Sequence, residues 1–540
     1  MGKTENKPWK QWYEERLLSL KLPECSIYAL LENTVKRFPS HTAIVFEDET
    51  TDYTTLKAQV DKLAGKWKEL GLKKGDRIGL MMANHPLYIV SYYAAQALGL
   101  IVVQVNPMYT FRELMQIVND SETQYIVFDK IAKRTVEEIK VVYSFEQCFS
   151  IEDDDSGFIS IQSLIDNGKA IIEPEVINPH EDVAVIQYTG GTSGVMKGAM
   201  LTHYNLTSNV VQSFEMYGET MRQGEEVVLT VTPLYHVYAM TSAMNLGIYI
   251  GATILLIPKF EIQHVLDNVR KYRPTYFPGV PKMYNAFINY PAIEKYDLKC
   301  LNHCSCGSAP LPIEVIKRFE ELTGAVIGEG FGLSEASPST HRNPKFSKRK
   351  LGSIGIPFLG TDCMIIDDNG TELRPNCVGE LLIKGPQIMK GYWNNEEETK
   401  LALRNGWLYT GDLAMMDEEG YFYIVGRKKE MIIVGGFNIY PQEVESVLYE
   451  HPDIQEAAVA SIPHTNLEET IKAFIVPKEG VTIDIEEIKG YCYAKLTPYK
   501  VPKEFEVIEE LPRNTVGKLL KRLLIKGELE KRGLEPNGKR

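Results

Sequence analysis

The chain contains two long stretches without a charged residue, and their pattern predicts buried strands and helices. One lies between Arg77 and Arg112, and the other extends over residues 227–258. Polar residues, proline and glycine divide the first stretch into three apolar segments, predicted as strand, helix and strand: Ile78–Met82, Leu87–Leu98 and Ile101–Val105. Strands covered on both faces of a parallel sheet are almost continuously apolar. We therefore interpret both stretches as buried α/β elements and not as membrane spans.

The same alternation continues along the chain and predicts an α/β fold with a large N-terminal domain of layered sheets and flanking helices. It is visible in three strand-like segments and one helix-like segment: Asp182–Thr189, Val227–Val231, Thr275–Phe277 and Ile313–Leu322. From about Gly352, short strands and frequent turns predict a small β-barrel-like subdomain.

The pattern changes again near Arg427, and the rest of the chain predicts a small, mobile α+β domain at the C-terminus. Its predicted elements alternate between helix and strand: Pro441–Glu450, Ala457–Ile462, Ile485–Ala494 and Phe505–Ile508. We accordingly predict a large domain over residues 1–427 and a small domain over residues 428–540.

The composition narrows the class of protein. Of 540 residues, 44% are hydrophobic, and 59 Lys and Arg residues against 72 Asp and Glu residues give a net charge of −13. This acidic surplus disfavours a protein that mainly binds nucleic acid phosphates. Eight cysteines are too few for a disulfide scaffold, and residues 1–10 lack the pattern of a secretory leader. We therefore expect a cytoplasmic protein.

The segment Tyr188–Gly198 has the composition of a phosphate-binding loop. It follows a predicted strand, is rich in glycine, serine and threonine, and contains one lysine, Lys197. Glycine lets backbone amides approach an anion, hydroxyl groups donate further hydrogen bonds, and the lysine balances the charge. The segment differs from a Walker loop because Val195 and Met196 separate Gly194 from the lysine. A flexible linker is the alternative explanation.

Four further glycine-containing motifs with charged residues follow: Gly328–Glu335, Tyr409–Asp412, Gly426–Pro441 and Pro512–Lys518. Together with the loop, they resemble the AMP-forming adenylating superfamily, which includes acyl-CoA synthetases, luciferases and the adenylation domains of peptide synthetases. The resemblance extends from about Ser26 to Leu524. Its details look most like the bacterial long-chain fatty-acid–CoA ligases, although Gly190 stands where many relatives have serine and Met196 where many have proline.

The resemblance implies a two-step ligase reaction. A fatty-acid carboxylate attacks the α-phosphate of ATP to give acyl-AMP and pyrophosphate, and the thiolate of coenzyme A then displaces AMP. Mg²⁺ is the implied cofactor, and ATP and coenzyme A are the implied co-substrates. Glu335 and Thr189 would bind the metal, because Mg²⁺ usually takes one or two carboxylates together with substrate phosphates.

The resemblance also implies which residues bind the nucleotide, with Asp412 on the ribose and with Phe331 and the turn at Gly307 on the adenine. The ATP- and AMP-binding set is Thr189, Gly190, Gly191, Thr192, Ser193, Gly194, Lys197, Gly307, Ser308, Ala309, Gly330, Phe331, Gly332, Leu333, Ser334, Asp412, Arg427 and Lys518.

Three residues are implied in catalysis: Lys518, Lys197 and His236. Lys518 would bridge the carboxylate and the α-phosphate, where negative charge gathers in the transition state. Rotation of the small domain at the hinge residue Lys428 would then admit coenzyme A, which is expected at Gly435, Gly436 and Phe437. Four of the implied residues also have a simpler explanation. Asp412 could be an ordinary turn residue, and Glu335 could be an acid that interacts with a helix dipole. Lys518 could be a solvated surface lysine, and His236 an ordinary histidine at the edge of the core.

The acyl substrate is predicted from the segment that follows His236. An enzyme that activates amino acids needs a carboxylate for the ammonium group, and residues 232–240 contain no Asp or Glu. Residues 237–250 are apolar and include two methionines, which suit a pliable tunnel for alkyl chains. We further expect that the missing side chains of Gly330 and Gly332 leave room beside the adenylate. The predicted acyl pocket is His236, Tyr238, Met240, Met244 and Gly332.

These observations favour a fatty acid–CoA ligase. An aryl- or medium-chain acid–CoA ligase of the same chemistry is the alternative, and a non-catalytic acyl or nucleotide sensor is a weaker one. The expected partners are the fatty acid, ATP and coenzyme A, with no nucleic acid; a peripheral contact at the inner face of the membrane and a homodimer are left open.

The segment Cys300–Cys306 also permits a zinc site, since it contains three cysteines and one histidine in seven residues. We favour buried, unreactive thiols, because the spacing lacks CxxC pairs and places Cys304 and Cys306 on one face of a strand.

Overall fold

The computed structural model describes residues 7–153, 157–171, 173–190, 196–434, 437–464, 468–513 and 519–533. In chain order its strands, β1–β27, are Thr42–Phe46, Glu49–Asp52, Arg77–Met81, Ile101–Gln104, Tyr125–Phe128, Gln147–Ser150, Ile159–Ser160, Val183–Gly190, Met196–Thr202, Val227–Thr230, Thr253–Leu256, Tyr276–Gly279, His303–Cys306, Val326–Gly332, Ser339–Arg342, Ile356–Pro357, Asp362–Ile366, Gly379–Lys384, Gly391–Tyr392, Leu403–Arg404, Trp407–Met416, Phe422–Arg427, Ile432–Val434, Phe437–Ile439, Ile454–His464, Glu468–Pro477 and Glu504–Val507.

The α-helices of the described residues, α1–α17, are Glu15–Leu18, Ile27–Arg37, Tyr53–Glu69, Pro86–Ala97, Phe111–Ser121, Lys133–Lys140, Ile161–Asp166, His203–Glu215, Val237–Ala239, Leu246–Ile250, Ile262–Tyr272, Pro281–Ile288, Ile313–Thr323, Glu396–Ala402, Pro441–Tyr449, Ile485–Lys495 and Lys521–Lys531. Short 3₁₀ turns lie at Pro8–Trp12, Gly218–Thr220, Ile293–Lys295, Ser334–Ala336 and Lys428–Glu430, and a π-helical stretch covers Met240–Asn245. No helix among these is long and apolar enough to cross a membrane.

Two large sheets form the N-terminal part, as the apolar pattern predicts. One has the strand order β16-β15-β14-β13-β12-β10-β11-β1-β2 and the other the order β19-β9-β8-β4-β3-β5-β6-β7. The strands from β14 to β1 in the first and from β8 to β7 in the second run parallel, and the strands at the ends run antiparallel. The layered α/β fold is therefore confirmed.

The uncharged stretch after Arg77 folds into β3, α4 and β4, close to the predicted boundaries. Helix α4 begins at Pro86, whose fixed φ suits a first helical position. His85 caps the helix, because its side chain accepts a hydrogen bond from the amide of Leu87. The helix is buried almost all round. It belongs to one apolar core that also contains residues of α2, α3, α8 and both large sheets.

Smaller sheets follow. Strands β17, β18, β21 and β20 form an antiparallel sheet, and β22 pairs with β21, where the sequence predicts the small β subdomain. Near the C-terminus, β25, β26 and β27 form a three-stranded sheet, and β23 pairs with β24. The predicted helices and strands of this α+β part are present, and β26 is an additional strand.

Candidate active site

The predicted phosphate loop connects two paired strands. Thr189, in β8, lies opposite Lys197, in β9, and Gly190 lies opposite Met196. The predicted loop Tyr188–Gly198 is shorter in the structure, because Lys197 already belongs to strand β9. The loop residues themselves lie outside the described residues: Gly191, Thr192, Ser193 and Gly194.

Lys197 is held by two side chains that lie far away in sequence. Its Nζ forms an ion pair with Glu398, at the start of α14, and lies 5.3 Å from the ring centre of Tyr392. A cation over the face of an aromatic ring is attracted by the ring electrons. The side chain of Lys197 is 19% exposed, so the ammonium group is partly shielded from water.

Tyr392 also binds the predicted metal ligand, Glu335. Its hydroxyl donates a hydrogen bond to Oε1 of Glu335 over 2.8 Å, and burial and the nearby Glu335 carboxylate raise the pKa of Tyr392. Glu335 lies in the 3₁₀ turn Ser334–Ala336, which directly follows Leu333 and packs against β8 and β9. Tyr392 therefore links Lys197 to Glu335, and with Thr189 these side chains surround the base of the predicted loop.

The turn Gly307–Ala309 is strained and tightly packed. Ser308 has a φ of +69°, a backbone conformation that residues other than glycine adopt only at an energetic cost. Its buried hydroxyl has no hydrogen-bond partner among the described residues. A Cβ at Gly307 would lie 2.8 Å from the ring of Tyr238, so only glycine fits there. The turn follows β13, and Phe331 lies near the end of the neighbouring strand β14, at the carboxyl end of the sheet.

Asp412 and Arg427 lie opposite each other on β21 and β22. Nε of Arg427 lies 2.7 Å from Oδ1 of Asp412, and the side chain of Asp412 is 4% exposed against 42% for Arg427. The amide of Asp412 donates a hydrogen bond to Oγ1 of Thr410. The structure thus brings together Asp412, predicted on the ribose, and Arg427, another member of the predicted nucleotide-binding set.

The predicted acyl pocket lies around the start of a distorted helix. His236 is half-buried, and its Nδ1 accepts a hydrogen bond from the amide of Tyr238. Met240 and Met244 are fully buried in the π-helical stretch Met240–Asn245. Such stretches are rare and often occur at functional sites.

The expected reason for the two glycines of β14 is wrong. A Cβ at Gly330 would lie 2.8 Å from the carbonyl oxygen of His341, and one at Gly332 would lie 2.4 Å from that of Pro338. The backbone of the neighbouring strand therefore fills the space beside both glycines. They allow β14 and β15 to approach closely and do not leave room for an acyl chain.

Lys428, the predicted hinge, is bound to the preceding part of the chain. Its Nζ lies 2.9 Å from Oδ1 of Asp368 and 3.1 Å from Oε2 of Glu380. Of the residues predicted for coenzyme A, Phe437 is half exposed and stacks on Tyr499 with 4.5 Å between ring centres. Gly435, Gly436 and Lys518 lie outside the described residues.

Cys304 and Cys306 lie in β13 and are buried. Burial raises the pKa of the Cys304 thiol to about 12. Within the described ranges, no three His, Cys, Asp or Glu side chains form a group that could hold a metal ion.

Sequence reasoning missed two residues of the site, Glu398 and Tyr392. Glu398 belongs to a run of three glutamates at the start of α14, which reads as an ordinary acidic helix N-terminus. Their pairings with Lys197 and Glu335 span 201 and 57 residues of sequence. A local motif contains no signal for such contacts.

Comparison with known proteins places the chain in one enzyme family. The family model described as "AMP-binding enzyme" matches residues 31–393, and "AMP-binding enzyme C-terminal domain" matches residues 443–518. The chain is 40% identical to a long-chain-fatty-acid–CoA ligase of Bacillus subtilis (strain 168), with 97% of this chain and 98% of that protein covered. It is 38% identical to a long-chain-fatty-acid–CoA ligase of Escherichia coli O6:H1, with 92% and 94% covered.

Among solved structures, the anthranilate CoA ligase AuaEII in complex with anthranoyl-AMP superposes with a TM-score of 0.88 at 25% sequence identity. The match covers 96% of this chain and 99% of that chain.

Proposed function

The chain belongs to the AMP-binding enzyme family, and we propose that it is an ATP-dependent fatty acid–CoA ligase. It activates a fatty acid to acyl-AMP with release of pyrophosphate and then transfers the acyl group to coenzyme A with release of AMP. The observation that carries the proposal is the contact network in which Tyr392 links Lys197 to Glu335 beside Thr189. This network joins a lysine and oxygen ligands at the base of one loop, as a magnesium–triphosphate requires.

The polyphosphate of ATP binds at the predicted loop in this proposal. Lys197 contributes the positive charge, and Glu398 competes with the phosphates for its ammonium group. Glu335 and Thr189 fit Mg²⁺, because a carboxylate and a hydroxyl are the hard oxygen donors that this ion takes besides water and phosphate. When bound, the ion neutralises phosphate charge during attack by the carboxylate.

The nucleoside binds between Asp412 and the turn at Ser308. The buried carboxylate of Asp412 accepts hydrogen bonds from the ribose hydroxyls, with Arg427 fixing its orientation. The adenine lies between the strained turn and Phe331. His236 stands where the acyl group meets the adenylate, and the buried helix that follows it, with Met240 and Met244, forms the wall of the acyl pocket.

The second half-reaction requires movement of the C-terminal domain. We place the boundary between Arg427 and Lys428, so that residues 428–540 rotate about Lys428. In the adenylating arrangement Lys518 contacts the carboxylate and the α-phosphate. After rotation, Gly435, Gly436 and Phe437 form the coenzyme A site.

The setting of the reaction follows from its substrates. ATP and coenzyme A are cytosolic, and the described cysteines are all free thiols, which suits a reducing compartment. We therefore propose a cytoplasmic enzyme; a peripheral contact with the membrane that supplies the fatty acid, and a homodimer, stay predictions.

The alternative substrate is an aryl or medium-chain acid. It is favoured by the structural similarity to the anthranilate CoA ligase AuaEII, which was solved in complex with anthranoyl-AMP. The adenylation chemistry and the nucleotide site are the same for a long-chain and for an aryl or medium-chain acid, so the shape of the acyl pocket determines which acid is the substrate.

The test is pyrophosphate release from MgATP, followed by thioester formation with coenzyme A, for a series of acids. We expect both products with long-chain fatty acids. A maximum with benzoate-type acids would favour the alternative, and the absence of pyrophosphate with every acid would indicate a non-catalytic sensor and contradict the proposal.

A further inference from the structure

Arg342 is a buried cation that the proposed reaction does not use. It is the last residue of β15, is 6% exposed, and its guanidinium carbon lies 3.9 Å from the ring centre of Tyr217. In the part of the chain that the structure describes, Arg342 forms no ion pair with a carboxylate. Because burial of an uncompensated charge is strongly unfavourable, this position calls for an explanation.

One edge of the Arg342 side chain is unsatisfied. The N–H groups of Nε and Nη2 have no acceptor among the described residues. These two groups share the edge of the guanidinium that binds both oxygens of a carboxylate at once. Gly328 leaves that edge uncovered, since a Cβ there would lie 2.8 Å from Nε and 3.3 Å from Nη2.

Hydroxyl groups surround Arg342, and we call Tyr217, Tyr238, Tyr276 and Ser305 the hydroxyl cluster. The hydroxyls of Tyr238 and Tyr276 lie 3.0 Å and 3.4 Å from Oγ of Ser305, whereas the buried hydroxyl of Tyr217 forms no hydrogen bond of ordinary geometry in the described ranges and interacts with Tyr276 and Arg342. Burial acts to lower the pKa of Arg342, and the neighbouring tyrosines act to raise it. The surroundings therefore keep the guanidinium charged and offer a further donor for an anion.

The hydroxyl cluster adjoins the proposed acyl pocket. Tyr238 belongs to both, and its ring packs against the turn at Gly307. Arg342 lies opposite Gly330 in the pairing of β14 and β15, and α8, which precedes Tyr217, packs against the π-helical stretch with Met240 and Met244. An acyl chain that passes Tyr238 away from the adenylate thus approaches the unsatisfied edge of Arg342.

We propose that Arg342 binds a second carboxylate at the far end of the acyl chain, so that α,ω-dicarboxylic acids are substrates of this enzyme. The inference rests on the proposed function, because the first carboxylate of the acid must be the one that is adenylated. A carboxylate suits the site better than a hydroxyl, since it satisfies both free N–H groups and also neutralises the charge.

The experiment compares each dicarboxylic acid with the monocarboxylic acid of equal carbon number, at fixed MgATP and coenzyme A. For the wild-type enzyme we expect the diacid to exceed the monoacid in kcat/KM by about tenfold or more at the chain length that reaches Arg342. Arg342→Met should remove this advantage and leave monoacids too short to reach Arg342 within about threefold of wild type. Arg342→Lys, which keeps the charge without the two-pronged edge, should retain part of it.

Thermal unfolding of the ligand-free variants separates recognition from a structural role. If Arg342 serves to bind the second carboxylate, Arg342→Met should keep or raise Tm, because an apolar side chain replaces an unpaired buried charge. A lower Tm together with an equal loss for both acid classes would mean that Arg342 is structural and would overturn the proposal. A preference for monoacids at every length, or for ω-hydroxy acids over diacids, would also overturn it.

Failure of this inference is distinguishable from failure of the proposed function. Activity on palmitate without any diacid advantage contradicts only the role of Arg342. No pyrophosphate release with palmitate or any diacid contradicts both.

Discussion

Arg427 and Asp412 are paired across two neighbouring strands, with 2.7 Å between Nε of the arginine and Oδ1 of the aspartate. Asp412 is buried, and the next residue after Arg427 is Lys428, whose ammonium group binds Asp368 and Glu380. The carboxylate proposed for the ribose, Asp412, therefore contacts Arg427, the residue directly before the proposed hinge. In the proposed function, nucleotide bound at Asp412 would act on the proposed hinge directly through Arg427.

Asp412→Asn should weaken nucleotide binding selectively. The amide keeps the shape of the side chain but loses the charge that strengthens hydrogen bonds to the ribose and the contact with Arg427. We expect the KM for ATP to rise by about tenfold or more, since hydrogen bonds to charged groups contribute about 1.5–3 kcal/mol. The KM for the fatty acid should change little.

Asp417→Asn is the matched control, because Asp417 lies just beyond the same strand and pairs with Lys350 outside the site. An equal rise in the KM for ATP in both variants would indicate a general effect on the strand and contradict the ribose role of Asp412.

Glu398→Gln should make ATP bind more tightly. The carboxylate of Glu398 forms an ion pair with Lys197, so it competes with the triphosphate for the same ammonium group. Removal of the negative charge should lower the KM for ATP by up to about fivefold, the range of a partly exposed ion pair. Lys197→Ala should have the opposite effect and lower the rate of pyrophosphate release.

The control for this pair is Glu397→Gln, at an exposed position of the same helix. An increased KM for ATP in Glu398→Gln, absent in Glu397→Gln, would show that Glu398 orients Lys197 for the phosphate instead of competing with it.

The sequence predicted those parts of the fold that local pattern determines. Polar and glycine interruptions of an apolar stretch mark the ends of β3, α4 and β4. Of the motif residues, Thr189 lies near the end of β8, Glu335 lies just after β14 and Asp412 lies within β21. The sequence does not predict strand β9, because the glycines and hydroxyl residues of the preceding segment are typical of a loop. Its pairing with β8 is fixed by the sheet and not by its own composition.

The contacts that complete the site are non-local and could not be predicted in the same way. Tyr392 reaches Glu335 across 57 residues, and Glu398 reaches Lys197 across 201. The burial of Arg342 is equally hidden, since an arginine at a strand end is ordinarily exposed. For Gly332 the residue was noted but its physical role was wrong, because the carbonyl of Pro338 occupies the space that was expected to be open.

Lys518→Ala should affect only the first half-reaction. Formation of acyl-AMP should fall by at least about 10²-fold, as with loss of one preorganised donor in a transition state. Thioester formation from supplied acyl-AMP should be largely spared, because the lysine has then left the site. Lys526→Ala, on the exposed side of α17, is the control, and an equal loss in both half-reactions of the Lys518 variant would refute its role.

Lys428→Pro should separate the two half-reactions in the opposite sense. Proline fixes φ near −65° and so prevents the change that rotation of the C-terminal domain needs at a hinge. Adenylation should remain measurable, while thioester formation should be suppressed. Lys428→Ala is the matched control, since it removes the ion pairs with Asp368 and Glu380 and leaves φ free. An unimpaired thioester step in Lys428→Pro would exclude a hinge at this residue.

The activity on saturated monoacids should rise with chain length and be greatest at about twelve to eighteen carbons. Each buried methylene contributes up to about 0.8 kcal/mol, or about fourfold in kcat/KM, as long as it contacts apolar residues such as Met240 and Met244. The rise should stop where the chain reaches the charged edge of Arg342, because an alkyl end cannot satisfy its free N–H groups. The measurement is kcat/KM for acids from acetate to stearate at fixed MgATP and coenzyme A.

Met244→Trp should shift this maximum toward shorter acids, because a larger side chain at a fully buried position shortens the space for the alkyl chain. Gly332→Trp does not serve this purpose, since its side chain would collide with the backbone of Pro338. Met81→Trp is the matched control: Met81 is also fully buried, but it belongs to a different apolar core. Both variants carry the cost of overpacking, so only a shift confined to Met244→Trp assigns this helix to the acyl pocket. A maximum at acetate or at an aryl acid in the wild-type enzyme would refute the long-chain preference and leave the adenylation chemistry in place.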